Sequence, residues 1–376
     1  MAHHIHTHNE ARRLAQNRLP SLVFDYIDGA AGQEMACALN ACDLAQIKLT
    51  PRVLTDVHPA GGVIPFLGQD HLVPFGIAPM GMCNLARPDA DTVLAALAAE
   101  MKMPLGVSTA ASTSLEKMFR ASEGQAWFQL YVSGSPDQGL ALAQRAAQAG
   151  YQTLVLTVDV PKVASRPRDV RNGFQMPFRI RPRQFLDFAL HPRWSLATLW
   201  AGAPTPANFD PNHGGFDRHA NRAGANWVFL DRLRAQWRGR LIVKGVMHPD
   251  DAQRIQAAGA DAIYVSNHGG RQLDSAPSAI SALHRIRQRL GPAFPLVFDS
   301  GIRTGEDIVK AIACGAQMVM LGRPVLYALA ADGERGLRQW LLAVQEEMAV
   351  VLSQLGLSST QAVGPQCVAS HPFGNA

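Results

Sequence analysis

From Leu72 onward, short apolar runs alternate with longer stretches of helical period. Eight such runs occur, at residues 73–78, 104–108, 126–131, 153–158, 241–244, 262–266, 296–299 and 318–321. Each suits a buried strand better than a helix. Between them lie helix-like segments at 90–101, 136–149, 249–258, 276–290 and 305–314, several opened by Asp, Ser or Thr and closed by Gly. Strands alternating with helices imply a parallel sheet, and eight of them predict a closed (β/α)8 barrel of the TIM type.

The flanks and one interval depart from this rhythm. Residues 1–50 carry two or three helical segments, one starting at Pro20-Ser21, and are expected to cover one end of a barrel formed by 51–376. A closing helix is predicted over 336–355. Residues 172–226 read as a long insertion loop after strand four, mixing Arg, Pro, Gly and His with two short apolar stretches. A loop this long inside a compact domain is usually functional or disordered. The histidines at 3, 4, 6 and 8 look like a tag-like or disordered end and receive no function.

Composition narrows the setting. Five scattered cysteines without C-x-x-C spacing read as reduced thiols of a cytoplasmic protein, with no metal site. Nothing at the start resembles a signal peptide. The longest apolar runs stop well short of the roughly 20 residues a spanning helix needs. The net charge of +5 fits anionic ligands, nucleic acid or an anionic membrane equally.

The loops after barrel strands converge on one mouth, and here every strand ends in polar or glycine-rich chemistry. Strand one ends in Pro79-Met80-Gly81, strand two in Ser108, strand three in Gln129-Leu130-Tyr131 and strand four in Thr157-Val158-Asp159. Strand five ends in Lys244, strand six in Ser266-Asn267-His268-Gly269-Gly270-Arg271, strand seven in Asp299-Ser300-Gly301-Ile302-Arg303 and strand eight in Gly322-Arg323. Gly301 with Arg303 and Gly322 with Arg323 suggest a phosphate site, since glycines admit backbone N–H groups and arginines offer forked donors. Either pair alone would also read as strand termination. His268 alone would read as a structural histidine. Asp159 at the same mouth makes it a candidate base, and Arg271 a candidate carboxylate clamp. Lys244 needs a negative neighbour, either a salt-bridge partner or an electron-rich cofactor ring.

These residues resemble the FMN-dependent 2-hydroxy acid oxidases and dehydrogenases, among them glycolate oxidase, L-lactate dehydrogenase and mandelate dehydrogenase. The likeness runs from about Phe24 to Gly356 and is most specific in Ser266-Asn-His-Gly-Gly-Arg-Gln-Leu-Asp274, Leu241-Ile-Val-Lys-Gly245, Trp127-Phe-Gln-Leu-Tyr131, Leu156-Thr-Val-Asp159 and Asp299-Ser-Gly-Ile-Arg303 with Gly322-Arg-Pro324. The resemblance implies bound FMN, His268 as base on the substrate and Asp159 as its partner. It implies Arg166 and Arg271 on the substrate carboxylate, with Tyr26 and Tyr131 supplying hydroxyls. Lys244 would stand by the flavin N1 and O2, while Ser108, Gln129, Thr157 and Ser266 complete its polar edge. Pro79, Met80 and Gly81 would face N5, and Asp299, Gly301, Arg303, Gly322 and Arg323 would hold the ribityl phosphate. The electrons can leave C2 as a hydride or, after loss of the C2 proton, as a carbanion.

Three departures shape the expected reaction. Gly81 stands where family oxidases tend to carry alanine, Ala110 where some glycolate oxidases carry a bulky aromatic, and Met80 where threonine is common. The first two favour a lactate-like, mandelate-like or longer acid and an acceptor other than oxygen. Residues 178–200 mix Phe178, Phe185, Leu186, Phe188, Leu190, Trp194, Leu196, Leu199 and Trp200 with Arg179, Arg181, Arg183 and Arg193, a composition suited to an anionic membrane interface. The family's quinone-linked members use this insertion for membrane attachment; an active-site lid is the other reading, and Pro182 and Pro192 break its helical period. Expected partners are therefore a small 2-hydroxy acid, a quinone or other carrier, the inner face of the cytoplasmic membrane, and further copies in a homotetramer, with no nucleic acid. The alternatives are an oxygen-using oxidase or monooxygenase, a redox-neutral FMN isomerase and a non-catalytic anion-binding barrel.

Overall fold

A computed structural model describes residues 5–57, 62–174, 181–209, 222–370 and 373. Eight parallel strands close into a barrel in chain order: Phe75–Met80, Leu105–Ser108, Trp127–Leu130, Thr153–Thr157, Arg240–Val246, Ala262–Val265, Leu296–Phe298 and Met318–Leu321. Closure is made where the eighth strand pairs with the first, Val319 opposite Phe75. All eight expected strands are present, with ends moved by at most two residues.

Successive side chains along a strand alternate between the barrel interior and the helices outside. The inward set begins apolar: Trp127, Val155, Ile242, Tyr264, Val297 and Met318 form a separate buried cluster inside the barrel. Two residues further along the same strands, the inward positions are Gln129, Thr157, Lys244, Ser266 and Asp299. The interior thus turns from hydrocarbon to polar over one period of the pleat, at the C-terminal end.

The opposite end is closed by an element outside the eight apolar runs. Ile64–Phe66 and Gln69–His71 form a hairpin across Leu67 and Gly68, both with positive φ (49° and 81°), as a two-residue hairpin turn requires. Phe66 packs on Trp127 with ring centroids 5.9 Å apart, and the Trp127 indole donates to Gln69 at 2.9 Å.

The N-terminal segment folds as three helices, His8–Arg18, Ser21–Asp28 and Met35–Gln46. The expectation of a loose tag-like start is wrong from residue 5 onward; the histidines at 3 and 4 lie outside the described residues. Ile5 is buried, and Thr7 and Glu10 make a capping box that fixes the first helix. The insertion is likewise more ordered than expected. Pro182 and Pro192 do not interrupt a helix but each starts one, Pro182–Leu190 and Pro192–Ala201, because proline at the first helical position lacks only an N–H that would have no partner there. Residues 178–180 of the expected membrane segment lie outside the described residues. The closing helix begins earlier than predicted, at Arg323, and runs to Gln354 with a break at Asp332-Gly333.

Candidate active site

The polar inward layer opens into a cavity of about 700 Å³, within the usual range for cofactor and ligand sites. Barrel strand ends form one wall and the N-terminal helices the other: Tyr26, Ile27 and Asp28 face Lys244, His268 and Arg271 across it. Pro79, Met80, Gly81, Ser108, Tyr131, Arg166, Asp299, Gly301, Arg303, Gly322 and Arg323 also line it. Asp159, Gln129, Thr157 and Ser266 stand one layer behind.

His268 reaches the cavity through a strained turn. Its φ is +59°, and Gly269 and Gly270 follow at +65° and +75°, a sequence of left-handed residues that only glycines tolerate freely. Its backbone N–H donates to the Ser266 hydroxyl at 3.0 Å. The imidazole Nδ1 lies 3.0 and 3.2 Å from the two carboxylate oxygens of Asp159. Because the ionised carboxylate can only accept, Nδ1 carries the proton and Nε2 is left as acceptor, 3.3 Å from the Tyr131 hydroxyl. Burial holds the His268 pKa below its ordinary value despite Asp159, with Lys244 adding to the depression, so the ring is neutral at pH 7. For Asp159, burial raises the pKa but His268 and Lys244 outweigh it, keeping the group ionised. Gly245 makes this geometry possible: at φ +98°, a side chain there would stand 2.5 Å from Asp159 Cβ.

Lys244 donates to Ser266 Oγ at 2.7 Å and pairs with Asp299 at 3.2 Å, with its ammonium 4.6 Å from the Tyr264 ring centroid. Asp299 also accepts from Ser266 at 2.5 Å and from Ser300 at 2.8 Å. Its carboxylate is thus the counter-ion of Lys244, and like charge keeps it from holding a phosphate directly, contrary to the role expected for it. Behind Gly81, Ser108 donates to Gln129 at 3.1 Å and Gln129 donates to Thr157 at 2.9 Å, a buried polar chain.

The arginines divide by what holds them. Arg271 donates to the carbonyls of Tyr26, Ile27 and Gly29, at 2.9, 3.2 and 2.6 Å. Its burial, together with Arg166 and Arg323, pulls its pKa down to about 9, a positive field suited to an anion. Arg323 donates to Ile27, Gly29 and Gly269 carbonyls. Its fork, like that of Arg271, is held in place by the chain, and it presents its charge to an anion at this end of the cavity. Arg303 is exposed at the rim. Arg166 is largely buried, 4.0 Å from Asp169, and Tyr26 stacks on Phe174 at 4.3 Å.

Sequence reasoning missed the residues that join the two walls. Asn40 and Asn267 exchange side-chain hydrogen bonds at 2.8 and 2.9 Å. Asp274 accepts from the backbone of Gln33 at 2.7 Å and Ala36 at 3.3 Å. Arg168 binds Asp25, Asp28 and Glu34, at 3.4, 2.7 and 2.5 Å. Asp274 did close the quoted motif, but nothing in its spacing indicated a partner some 240 residues away.

This constellation of base, carboxylate partner and clustered arginines agrees with the comparisons. Residues 15–370 match the family model for FMN-dependent dehydrogenase. The chain belongs to the FMN-dependent dehydrogenases. It is 37% identical to (S)-mandelate dehydrogenase of Pseudomonas putida, over 97% of this chain and 94% of that one. It is 36% identical to a putative L-lactate dehydrogenase of Mycobacterium tuberculosis (strain ATCC 25618 / H37Rv), over 96% and 88%. Among solved structures, (S)-mandelate dehydrogenase, described as a monotopic membrane protein, superposes with a TM-score of 0.92 at 36% identity, covering 97% of this chain and 99% of that one. A mandelate oxidase gives 0.83 at 33% identity, covering 96% and 97%.

The residues present fit FMN. Gly322, which starts the helix Arg323–Gln354, has open space where a side chain would stand, so backbone N–H groups are accessible to an anion at a helix N-terminus. Lys244 supplies a buried cation on the same cavity wall, suited to the negative charge of a reduced isoalloxazine.

Proposed function

We propose that this protein oxidises a small L-2-hydroxy acid to the 2-keto acid and passes the electrons to quinone or another carrier. The observation that carries the reading is His268 Nε2, polarised by Asp159, on one cavity wall with Arg166 and Arg271. Relatives are L-lactate and (S)-mandelate dehydrogenases. Bound FMN would supply the two-electron acceptor that no side chain provides. Arg166 and Arg271 bind the carboxylate and orient C2. His268 takes a proton at Nε2, and Asp159 holds the ring in the correct tautomer and stabilises its charged form. Tyr131 and Tyr26 flank the substrate hydroxyl and carboxylate. Ser108, Gln129, Thr157, Ser266 and the Pro79–Gly81 backbone support the flavin edge, Asp299 fixes Lys244, and Gly301, Arg303, Gly322 and Arg323 face the phosphate.

Met80, Ala110, Val163 and Phe174 give the cavity an apolar side, which supports a branched or aromatic substrate side chain. Anaerobic flavin reduction by a panel of L- and D-acids tests the assignment. An oxygen-using oxidase is the second reading, favoured by the likeness to mandelate oxidase. Slow reoxidation of the reduced protein by air is expected for the dehydrogenase; fast reoxidation would decide for the oxidase.

Two short helices support peripheral membrane attachment at the inner face of the cytoplasmic membrane. Leu190, Leu199 and Trp200 are 79%, 81% and 93% exposed, accompanied by Phe185, Leu186 and Leu196 and by exposed Arg183 and Arg193. Trp194 anchors the pair to the barrel by donating to the Leu85 carbonyl at 2.7 Å. No described helix is long and apolar enough to cross a membrane. The assembly proposed from the family resemblance is a homotetramer, measurable by light scattering.

A further inference from the structure

His8 has no part in the chemistry above, yet it lines the same cavity. It opens the helix His8–Arg18, which packs along the helix Arg323–Gln354, and its ring lies 5.6 Å from that of Tyr327. Its Nδ1 is buried with no hydrogen-bond partner among the described residues, an unfavourable state for a ring nitrogen that has no ligand. The charged groups facing it are Arg12 on its own helix, Asp28 on the next, and Arg303 and Arg323 at the ends of strands seven and eight. Asp28 is already neutralised by Arg12 at 2.6 Å and Arg168 at 2.7 Å, and it accepts from the Tyr327 hydroxyl. The net field at His8 is therefore positive. Burial first, then Arg303 and Arg12, bring its pKa down to about 4.

We infer that His8 is a ligand of the FMN phosphate and ties cofactor retention to pH. The inference rests on the flavin site described above. Beside a phosphate dianion the field at the ring reverses, the imidazole takes a proton from solvent, and the imidazolium donates to a phosphate oxygen. Its pKa is then raised on binding, so FMN is held most firmly below the raised value and released more readily as pH climbs through it. The second ionisation of the phosphate, near pH 6, acts in the opposite direction but is common to wild type and variants.

FMN release from diluted holoenzyme, followed by flavin fluorescence from about pH 5.5 to 8.5, tests this, the window bracketing an ordinary imidazole pKa. His8→Gln is expected to release FMN roughly tenfold faster than wild type at the acid end, and the two to converge at the alkaline end. His8→Lys, charged throughout, should retain FMN at both ends. Protein reconstituted with riboflavin, which lacks the phosphate, should release it equally in all three. Equal FMN release by wild type and His8→Gln at every pH would overturn the inference, as would a release of riboflavin from His8→Gln accelerated as much as that of FMN, which marks a merely structural effect. A protein purified without any flavin would instead overturn the flavin reading itself.

Discussion

His268 works as a base because burial and Asp159 pull its pKa in opposite directions and burial wins. The base form is needed for turnover, so kcat/KM should rise with pH through a value below the ordinary 6.5 and be flat at neutrality. Arg271 must stay protonated to hold a carboxylate; burial and neighbouring arginines lower its pKa, yet a guanidinium keeps its proton through this range, so Arg271 should put no alkaline limb on the profile. Asp159→Asn removes the group that raises His268; the acid limb should move lower while the plateau drops by roughly 10²-fold. His268→Gln should abolish most turnover, by about 10³-fold or more, while leaving the flavin bound and the protein yellow. Lys244→Met has a different signature. It leaves Asp299 buried without its cation, so a loss of about 3 kcal/mol in stability should accompany any change in flavin potential.

At the level of elements, the active site is a clasp between barrel and N-terminal helices. Asp28 is its hub, accepting from Arg12, Arg168 and Tyr327. Burial raises its pKa, but these donors overcome that and leave it well below the usual carboxylate range. A lowered carboxylate stabilises the fold above the unfolded value near 3.9 and loses that contribution as pH falls through the folded one. Asp28→Asn should therefore lower stability by about 3 kcal/mol at pH 7, with the difference from wild type shrinking in strong acid, as read by urea midpoints. The helices Pro182–Leu190 and Pro192–Ala201 make a separate prediction. Replacing Leu190, Leu199 and Trp200 with Gln should abolish co-sedimentation with phosphatidylglycerol vesicles while activity with a soluble acceptor stays unchanged; unaltered sedimentation would assign these helices to a lid. Prolines that look like helix breakers in a periodicity reading are helix starters here. The sequence pattern alone does not separate the two, because that depends on where the preceding residue leaves the backbone.

Across the whole molecule, the barrel was legible because its signal is local and repeated: eight apolar runs, five of them with a polar residue two positions beyond an inward apolar one. That same period placed Gln129, Thr157, Lys244, Ser266 and Asp299 in one layer. The closing hairpin at Ile64–His71 was not legible, since two three-residue strands carry too little pattern. Nor was the interface between Asn40, Asp274 and Arg168 and their partners, which joins residues far apart in sequence through single contacts. Legibility also failed for His8, where a run of histidines resembled a tag although Thr7 and Glu10 already formed a capping box. Whether His268 and its arginines serve the oxidation of an L-2-hydroxy acid at a flavin is decided by anaerobic mixing of the purified holoenzyme with L- and D-acids while the flavin absorbance is followed. Rapid bleaching by at least one L-acid, little by its D-enantiomer, and its loss in His268→Gln are predicted; a flavin that stays oxidised with every L-acid, or bleaches equally in the variant, would contradict the account.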